Sequence, residues 1–242
     1  MNPLPISGYV LAGGRSSRMG TDKALLELAG KPLIEHAVMK LRRICADVHI
    51  LAGAEGRHAV LAQYAPLIPD VHPNCGPIGG VEAALLHAQH DWNLFLPVDL
   101  PFLPAAFLDH WVRSIVNRRS MRIRVALFSV FGVPQPTLLL IHREAVPHIV
   151  RAVADGEFKM FPMLQKVAHV LALPGALPQE QVPYMLPIDE NLRFEGRQAF
   201  EPGPAWQALN EAQQAARPLW FANLNTPEDF ALAESQIDAL DT

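Results

Sequence analysis

One stretch near the start of the sequence constrains the fold more than any other. Residues 6–12 form an apolar run that ends abruptly at two adjacent glycines, Gly13 and Gly14. Such a run is typical of a buried strand, and a glycine pair lets the backbone turn tightly and approach a ligand closely. The first predicted element is therefore a strand that opens directly into a glycine-rich loop.

The loop at 13–23 is rich in groups that bind phosphate. Successive backbone N–H groups in a glycine turn can form an anion-binding concavity, and Ser16 adds a hydroxyl donor. Arg15, Arg18 and Lys23 add positive charge, and arginine can hold phosphate through two parallel hydrogen bonds. The composition of this loop predicts a site that holds a polyphosphate.

Two other phosphate-binding loops are excluded by the spacing of the glycines. A P-loop has four residues between its glycines and then Gly-Lys-Ser/Thr, and the dinucleotide fingerprint is Gly-x-Gly-x-x-Gly. Neither pattern occurs at 13–23, where the glycines are adjacent. A surface turn with solvated arginines remains the alternative, and the length of the string favours the binding site.

Apolar runs alternate with helical periodicity through the first half of the chain. The predicted strands are 6–12, 48–52, 67–70 and 93–98, and the predicted helices are 33–45, 57–64, 81–90 and 105–116. This alternation is typical of βαβ units. It predicts a three-layer α/β/α, Rossmann-like fold with a mostly parallel sheet.

The second half of the chain is less regular in its pattern. Two strands are predicted at 124–131 and 135–141, helices at 145–154 and 161–167, and a short strand at 170–173. Seven prolines then punctuate 174–218, which predicts an irregular insertion apart from one helix at 205–216. A last strand from 219 should lead into a helix capped by Thr226. We expect a single domain over 1–242.

Two acidic residues, one at the end of a predicted strand and one directly after another, join the loop at one edge of the predicted sheet. Asp70 precedes the turn-rich stretch 76–80, and Asp99 follows the strand at 93–98. Ligands of parallel sheets bind beyond the carboxyl ends of the strands. A carboxylate facing a polyphosphate is suited to hold Mg²⁺, whereas the alternatives are a turn residue for Asp70 and a helix cap for Asp99.

The long motifs resemble those of a known family. The string LAGGRSSRMGTDK at 11–23, followed by GKPLIEH at 30–36, is similar to the signature of the MobA-like nucleotidyltransferases, and in particular of the molybdenum cofactor guanylyltransferases. VDLPFL at 98–103 and NLNTPED at 223–229 are similar to further motifs of that family. The resemblance is lost over 174–218, because relatives run to the last motif more directly.

The resemblance implies a nucleotide-diphospho-sugar transferase-like fold and a set of site residues. Arg18, Lys23 and Asp99 would be catalytic, with Asp99 holding Mg²⁺. The implied nucleotide contacts are Leu11, Ala12, Gly13, Gly14, Arg15, Ser16, Lys23, Asp70, Gly76, Pro77, Gly79 and Asp99. The implied contacts of a second substrate are Gln135, Asn223 and Asn225.

The implied activity is transfer of GMP from GTP to a molybdopterin acceptor, with release of pyrophosphate. Cofactor-handling proteins or molybdoenzymes would be its partners. The alternatives are a cytidylyl- or other nucleotidyltransferase with a different phosphorylated substrate, or a catalytically silent nucleotide-binding domain. Cytidylyl relatives more often have LAAG where this chain has LAGG, so Gly13 would make room near the larger base.

Composition excludes several other classes of protein. The 242 residues are 50% hydrophobic and carry a formal charge of only −4, which gives no electrostatic case for nucleic-acid binding. Residues 1–7 have no signal-peptide pattern, and no apolar stretch is long enough to span a membrane. Cys45 and Cys75 are too few for a disulfide framework, so we expect a soluble cytoplasmic protein.

Overall fold

A central sheet with helices on both faces organises the molecule. The computed structural model describes residues 2–13, 22–53, 59–117, 123–172, 184–188 and 207–241. The strands in these ranges are β1 (Leu4–Leu11), β2 (Glu27–Leu28), β3 (Lys31–Pro32), β4 (Cys45–Leu51), β5 (Leu67–Ile68), β6 (Trp92–Pro97), β7 (Val125–Val130), β8 (Val133–His142) and β9 (Tyr184–Ile188). The helices are α1 (Leu33–Arg42), α2 (Pro77–His87), α3 (Ala105–Val116), α4 (Val146–Ala154), α5 (Met160–Leu171), α6 (Glu211–Ala215) and α7 (Pro227–Glu234).

The main sheet has the order β5-β4-β1-β6-β8-β7-β9. Strands β5, β4, β1 and β6 run parallel, as predicted. Strand β8 runs antiparallel to β6 and to β7, while β9 runs parallel to β7. The direction changes because a two-residue turn joins β7 and β8. Its residues Phe131 and Gly132 have φ of 51° and 77°, and positive φ at both positions is typical of a type I′ hairpin turn.

The sheet separates two hydrophobic cores. In β6, Leu94 and Leu96 pack into the core beneath α1 and α3, whereas Phe95 points into the core beneath α2, α4 and α5. This alternation follows from the two-residue period of a strand. The predicted three-layer α/β/α architecture is therefore confirmed.

The strands predicted at 170–173 and from 219 are not formed in the described residues, and the structure has helical turns at 170–171 and 217–219. Residues 170–171 continue α5, in which Val167 and Ala168 lie on the buried face. The N–H of Ala172 donates to the Ala168 carbonyl at 2.9 Å, and this hydrogen bond completes the last turn of the helix. Residues 217–219 form a 3-10 turn, and the buried indole of Trp220 donates to the Gln213 carbonyl at 3.0 Å in place of strand pairing.

The described parts of 174–218 contain more regular structure than predicted. Strand β9 adds to the sheet edge beside β7, although Pro187 hides it in the sequence; edge strands tolerate proline because one side of their ladder is unpaired. Helix α6 lies within the predicted helix 205–216 and has a complete capping box at Asn210. None of the helices in the described ranges combines the length and apolar character that crossing a bilayer requires.

Candidate active site

The carboxyl ends of the parallel strands hold the predicted site segments together. The N–H groups of Ala12 and Gly13 both donate to the Leu51 carbonyl at the end of β4, at 3.1 and 3.0 Å. On the other side of β1, the Leu11 carbonyl accepts from the N–H of Val98 at 3.3 Å. The start of the glycine loop and the segment that carries Asp99 are thus fixed to the same edge.

Three side chains from distant parts of the chain meet at this edge. The Lys23 ammonium donates to Asp99 Oδ2 at 2.7 Å and to Asn225 Oδ1 at 2.6 Å. The side chains of Lys23 and Asp99 are 18% and 19% exposed, so the pair is shielded yet open on one side to a ligand. Three of the predicted site residues therefore form one cluster.

Each member of the cluster is held by its own local structure. Lys23 begins a short 3-10 turn, which is capped by a 3.1 Å hydrogen bond from the Ala24 N–H to Asp22 Oδ1. The backbone carbonyl of Asp99 accepts from the Leu224 N–H at 3.3 Å. The backbone immediately before Asn225 is therefore tied to the backbone of Asp99.

The helix that follows Asn225 begins as predicted. Thr226 is the N-cap of α7, Pro227 is its first residue, and Asp229 completes the capping box. The Asp229 carboxylate accepts from the N–H groups of Asn225 and Thr226, and these bonds, together with the nearby charge of Lys23, lower the pKa of Asp229. A charged carboxylate at this helix start also suits the helix dipole.

Asp70 lies against the first turn of α2. A Cβ added to Gly79 would lie 3.5 Å from Asp70 Oδ2, and one added to Gly80 would lie 3.5 Å from Oδ1. Gly76 is the N-cap with a φ of +68°, and Pro77 is the first helical residue. Burial raises the pKa of Asp70, and the charge of Glu82 raises it further. The structure therefore brings Asp70, Gly76, Pro77 and Gly79 together, as expected.

A contact between the half-exposed His72 ring and the buried carboxylate of Glu82 closes the loop between Asp70 and α2, and sequence reasoning missed it. His72 Nδ1 lies 2.8 Å from Glu82 Oε2, and the Glu82 side chain is 1% exposed. The available signal was the position of Glu82 on a helical face shared with Ile78, Val81 and Leu85, which the structure shows to be buried. A carboxylate at such a position requires a partner.

Gly13 has a structural reason in addition to the room for a base that the sequence suggested. A Cβ at Gly13 would lie 3.2 Å from the Gly53 backbone nitrogen, so the missing side chain lets the loops after β1 and β4 pack closely. Gly53 in turn accepts from the Asp70 N–H through its carbonyl at 3.2 Å. The predicted contacts Gly14, Arg15, Ser16 and Arg18 lie outside the described residues.

Two predicted contacts of the second substrate lie near the cluster without joining it. The last pair between β6 and β8 is Phe95 with Leu139, so antiparallel β8 places Gln135 beyond the carboxyl end of β6, on the side of Asp99. Gln135 Nε2 donates to the Val133 carbonyl at 3.1 Å. Asn223 is exposed, and among the described residues it is Asn225 that bonds to Lys23.

The oxygens around Lys23 have the chemistry of a magnesium site. No group of three or more His, Cys, Asp or Glu side chains suited to a metal occurs in the described ranges. Asp99 and Asn225 nevertheless offer two hard oxygens that converge on one cationic group. Mg²⁺ often takes one or two carboxylates and completes its shell with substrate phosphates and water, so this donor set fits it.

Comparison with known proteins assigns the family. Residues 8–170 match the model of the MobA-like NTP transferase domain. The chain belongs to this family. Its members named molybdenum cofactor guanylyltransferase include one from Serratia proteamaculans (strain 568), 34% identical over 179 residues that cover 70% of this chain and 85% of that protein. Another, from Vibrio vulnificus (strain YJ016), is 32% identical over 70% of this chain and 84% of its own length.

Solved structures of nucleotidyltransferases have the same fold. Molybdopterin-guanine dinucleotide biosynthesis protein A from Archaeoglobus fulgidus superposes with a TM-score of 0.65 at 21% identity, covering 97% of this chain and 100% of that chain. 4-diphosphocytidyl-2C-methyl-D-erythritol synthase from Anaerococcus prevotii superposes with a TM-score of 0.60 at 11% identity, covering 97% and 96%. The expected nucleotide-diphospho-sugar transferase-like fold is thereby confirmed.

Proposed function

We propose that this protein transfers GMP from GTP to the molybdenum cofactor and releases pyrophosphate. The observation that carries the proposal is the convergence of Lys23, Asp99 and Asn225 at the carboxyl edge of the sheet. The family assignment and the names of the relatives support it. Because this donor is a cytoplasmic nucleotide, the reaction belongs in the cytoplasm.

Lys23 would bind the triphosphate of the donor. In the structure its ammonium neutralises Asp99, and both side chains are partly exposed, so the ammonium can turn toward phosphate oxygens with little rearrangement. Hydrogen bonds between charged partners are about twice as strong as neutral ones. Backbone N–H groups of Gly13 and Gly14, with Arg15, Ser16 and Arg18, would supply the remaining donors.

Asp99, assisted by Asn225, would hold Mg²⁺. A bound Mg²⁺ supplies positive charge that offsets the charge of the phosphates. The chain contributes the orientation of the two oxygens: the Asp99 carbonyl is tied to Leu224, and the Asn225 N–H is tied to Asp229 at 2.8 Å. Both oxygens are therefore arranged before any ligand binds.

The transfer itself requires positioning more than covalent work by the protein. An oxygen of the acceptor's terminal phosphate attacks the α-phosphorus of GTP in line and forms the new P–O bond. The bond from the α-phosphorus to the bridging oxygen of the β-phosphate breaks, and its electron pair leaves with pyrophosphate. An ionised phosphate nucleophile has no proton to lose, so no general base is required.

The guanine base and ribose would lie beside Asp70 and the start of α2. The Asp70 carboxylate accepts hydrogen bonds from donors on the base edge, and Gly79 leaves room for it against the helix backbone. Gln135 and Asn223 would contact the pterin side of the acceptor. Proteins that deliver the cofactor or receive the product, including molybdoenzymes, would be partners.

The test combines a binding panel with a turnover assay. Calorimetry with GTP, CTP and ATP in the presence of Mg²⁺ should show a preference for GTP. Pyrophosphate release should require both GTP and purified molybdopterin cofactor. Lys23→Ala should weaken GTP binding and slow transfer, whereas Lys166→Ala, which removes an exposed lysine paired with Glu157 on the other face of the sheet, should do neither.

Three outcomes would replace the proposal. Tighter binding of CTP together with cytidylyl transfer would indicate a cytidylyltransferase. Transfer to a different phosphorylated acceptor would change the second substrate. GTP binding without pyrophosphate release under any of these conditions would indicate a catalytically silent nucleotide-binding domain.

A further inference from the structure

A lysine is buried beside the segment that carries Asp99. Lys40 lies on α1, and its side chain is 1% exposed. Its neighbours on the same helix, Ala37 and Leu41, belong to the core between α1 and the sheet. A charged ammonium in such a place is costly unless hydrogen bonds and an opposite charge compensate for it.

Three backbone carbonyls compensate for the buried ammonium. Lys40 Nζ donates to the carbonyls of Leu100 at 3.2 Å, Pro101 at 2.9 Å and Leu103. An ammonium has three N–H donors, so the three carbonyls use all of them. The carbonyls belong to the segment directly after Asp99, in which Pro101 and Pro104 lack an N–H of their own.

Asp241 supplies the opposite charge and extends the connection. Its Oδ2 lies 3.7 Å from Lys40 Nζ and accepts from the Ala105 N–H at the start of α3 at 2.9 Å. Its Oδ1 accepts from Gln213 Nε2 at 3.1 Å. Lys40 and Asp241 therefore join α1, the segment after Asp99, the start of α3 and helix α6.

We propose that Lys40 is a positioning residue for nucleotidyl transfer, whose ammonium fixes the segment 100–103 and thereby holds the Asp99 carboxylate in place. The hydrogen bonds of Lys40 go to the carbonyls of 100, 101 and 103, so it acts through the backbone that follows Asp99. The proposal rests on the function proposed above and adds a residue that the family motifs in this sequence do not include. Without the ammonium, three carbonyls would lack these bonds and the segment would be free to move.

Deprotonation of Lys40 at alkaline pH should therefore lower activity. Burial lowers the pKa of Lys40 to about 8, Asp241 opposes that shift, and the charge of Arg43 adds to it. From α3, Asp109 faces this region but is paired with Arg113 at 2.8 Å. A neutral amine has two N–H donors and a lone pair, so one of the three carbonyls loses its partner.

The free energy of unfolding should rise over the pH range in which deprotonation of Lys40 lowers activity. The folded-state pKa of Lys40 lies below the ordinary value of 10.5, so between these values the unfolded chain binds more protons than the folded one. The free energy of unfolding then rises with pH through this window. A fall in activity there cannot come from unfolding driven by Lys40.

The experiment compares four full-length proteins: the unaltered chain, Lys40→Met, Asp241→Asn and the matched control Lys166→Met. We would measure kcat and KM for GTP from about pH 6.5 to 9.5, thermal unfolding, and amide hydrogen exchange in 98–103. Lys40→Met should lower kcat about ten- to a hundredfold, because small displacements of a reacting group are costly. KM for GTP should stay within about threefold, and exchange in 98–103 should rise.

The pH profile separates positioning from a purely structural role. The unaltered chain should lose activity through an apparent pKa near 8, Lys40→Met should lack that limb, and Asp241→Asn should move it to lower pH. Lys166→Met should match the unaltered chain. A folded Lys40→Met protein with unaltered kcat and unaltered exchange in 98–103 would overturn the proposal. The proposal would also be overturned if Asp241→Asn lost activity at the same alkaline pH as the unaltered chain. Absence of transfer by the unaltered chain would instead contradict the proposed function, and hydrogen exchange would still report whether Lys40 holds the segment.

Discussion

The carboxylate of Asp229 accepts a 2.8 Å hydrogen bond from the backbone N–H of Asn225. The same oxygen accepts from the Thr226 N–H at 2.8 Å, and Thr226 Oγ1 accepts from the Asp229 N–H at 3.1 Å. The start of α7 therefore fixes the residue whose side chain binds Lys23. The helix cap here does two things: Thr226 satisfies a free N–H group in the first turn of the helix, and Asp229 orients a site residue.

Asp229→Ala should reduce transfer through the loss of this orientation. We expect about a tenfold lower kcat, because the Asn225 oxygen would no longer be held next to Lys23. Asp229→Asn keeps an acceptor oxygen and should retain most of the activity. Steady-state kinetics of the two variants test this expectation, and equal losses would show that charge matters here more than orientation.

The protonation of Asp229 should not limit activity at ordinary pH. Because hydrogen bonds from Asn225 and Thr226 lower the pKa of Asp229 below 3.8, the capping contact is fully present above that value. It is lost only as pH falls through the lowered pKa. This expectation would be contradicted if the unaltered chain lost transfer activity at mildly acidic pH and Asp229→Asn did not.

The two asparagines of the last motif should differ in importance. Both side chains are exposed, and it is the Asn225 oxygen that accepts from Lys23 at 2.6 Å. Asn225→Ala should therefore lower kcat with GTP by about tenfold or more, as expected for removal of one hydrogen bond to a charged group. Asn223→Ala should change only KM for the acceptor. Kinetics with each substrate varied in turn distinguish the two, and a larger kcat effect at Asn223 would reverse the assignment.

Asp99→Asn separates nucleotide binding from transfer. The substitution preserves shape but removes the charge that would hold Mg²⁺, so transfer should fall by at least about a hundredfold. GTP binding in the presence of EDTA should persist or tighten, because Lys23 loses its 2.7 Å ion pair and a negative charge next to the triphosphate disappears. Calorimetry with and without Mg²⁺ would measure both effects. Transfer close to that of the unaltered chain would remove Asp99 from the mechanism.

Features with a strong local signal could be predicted from the sequence. The strand before Gly13, the cap at Thr226 and the position of Asp99 after a strand all follow from patterns within about ten residues. Lys40 carried a local signal too, since it lies seven residues after Leu33 and three after Ala37, which are both buried on α1. Its role could not be predicted, because its partners at 100–103 and 241 come together only in the fold.

Elements that depend on distant pairing were the ones missed. Strand β9 is defined by its parallel partner β7 rather than by its own sequence. The stretch after residue 219 is apolar, as a strand would be, but Trp220 packs against Phe107 with ring centroids 4.9 Å apart. Tertiary packing, which local patterns do not contain, decides both cases.

Two adjacent glycines at the start of α2 should tolerate alanine differently. A Cβ at Gly79 would lie 3.0 Å from the His72 carbonyl oxygen and 3.2 Å from Cys75 Cβ, whereas one at Gly80 meets nothing closer than 3.5 Å. Gly79→Ala should displace the loop after Asp70 and weaken GTP binding about tenfold, and Gly80→Ala should leave it nearly unchanged. Calorimetry on this matched pair tests the placement of the base site, and equal affinities would contradict it.

The choice of nucleotide should depend on the charge of Asp70. Guanine offers a ring N–H and an amino group side by side, and an ionised carboxylate can accept from both. Asp70→Asn replaces one acceptor by a donor, so GTP affinity should fall by about ten- to a hundredfold. CTP affinity should change less, because cytosine lacks that pair of donors. Equal losses for the two nucleotides would mean that Asp70 binds the ribose and does not select the base.

The pH dependence of GTP binding tests the same role independently. Burial, and then the charge of Glu82, raise the pKa of Asp70 above its ordinary value of 3.8. Protonation removes an acceptor, so GTP affinity should fall as pH decreases through this raised pKa, and the fall should be absent in Asp70→Asn. Glu82→Gln removes one cause of the shift while keeping an acceptor for His72, so it should move the fall to lower pH. GTP affinity should be measured from about pH 7 down to about pH 4 for the unaltered chain, Asp70→Asn and Glu82→Gln. If the loss of affinity occurs at the same pH in Glu82→Gln as in the unaltered chain, the titrating group is not Asp70.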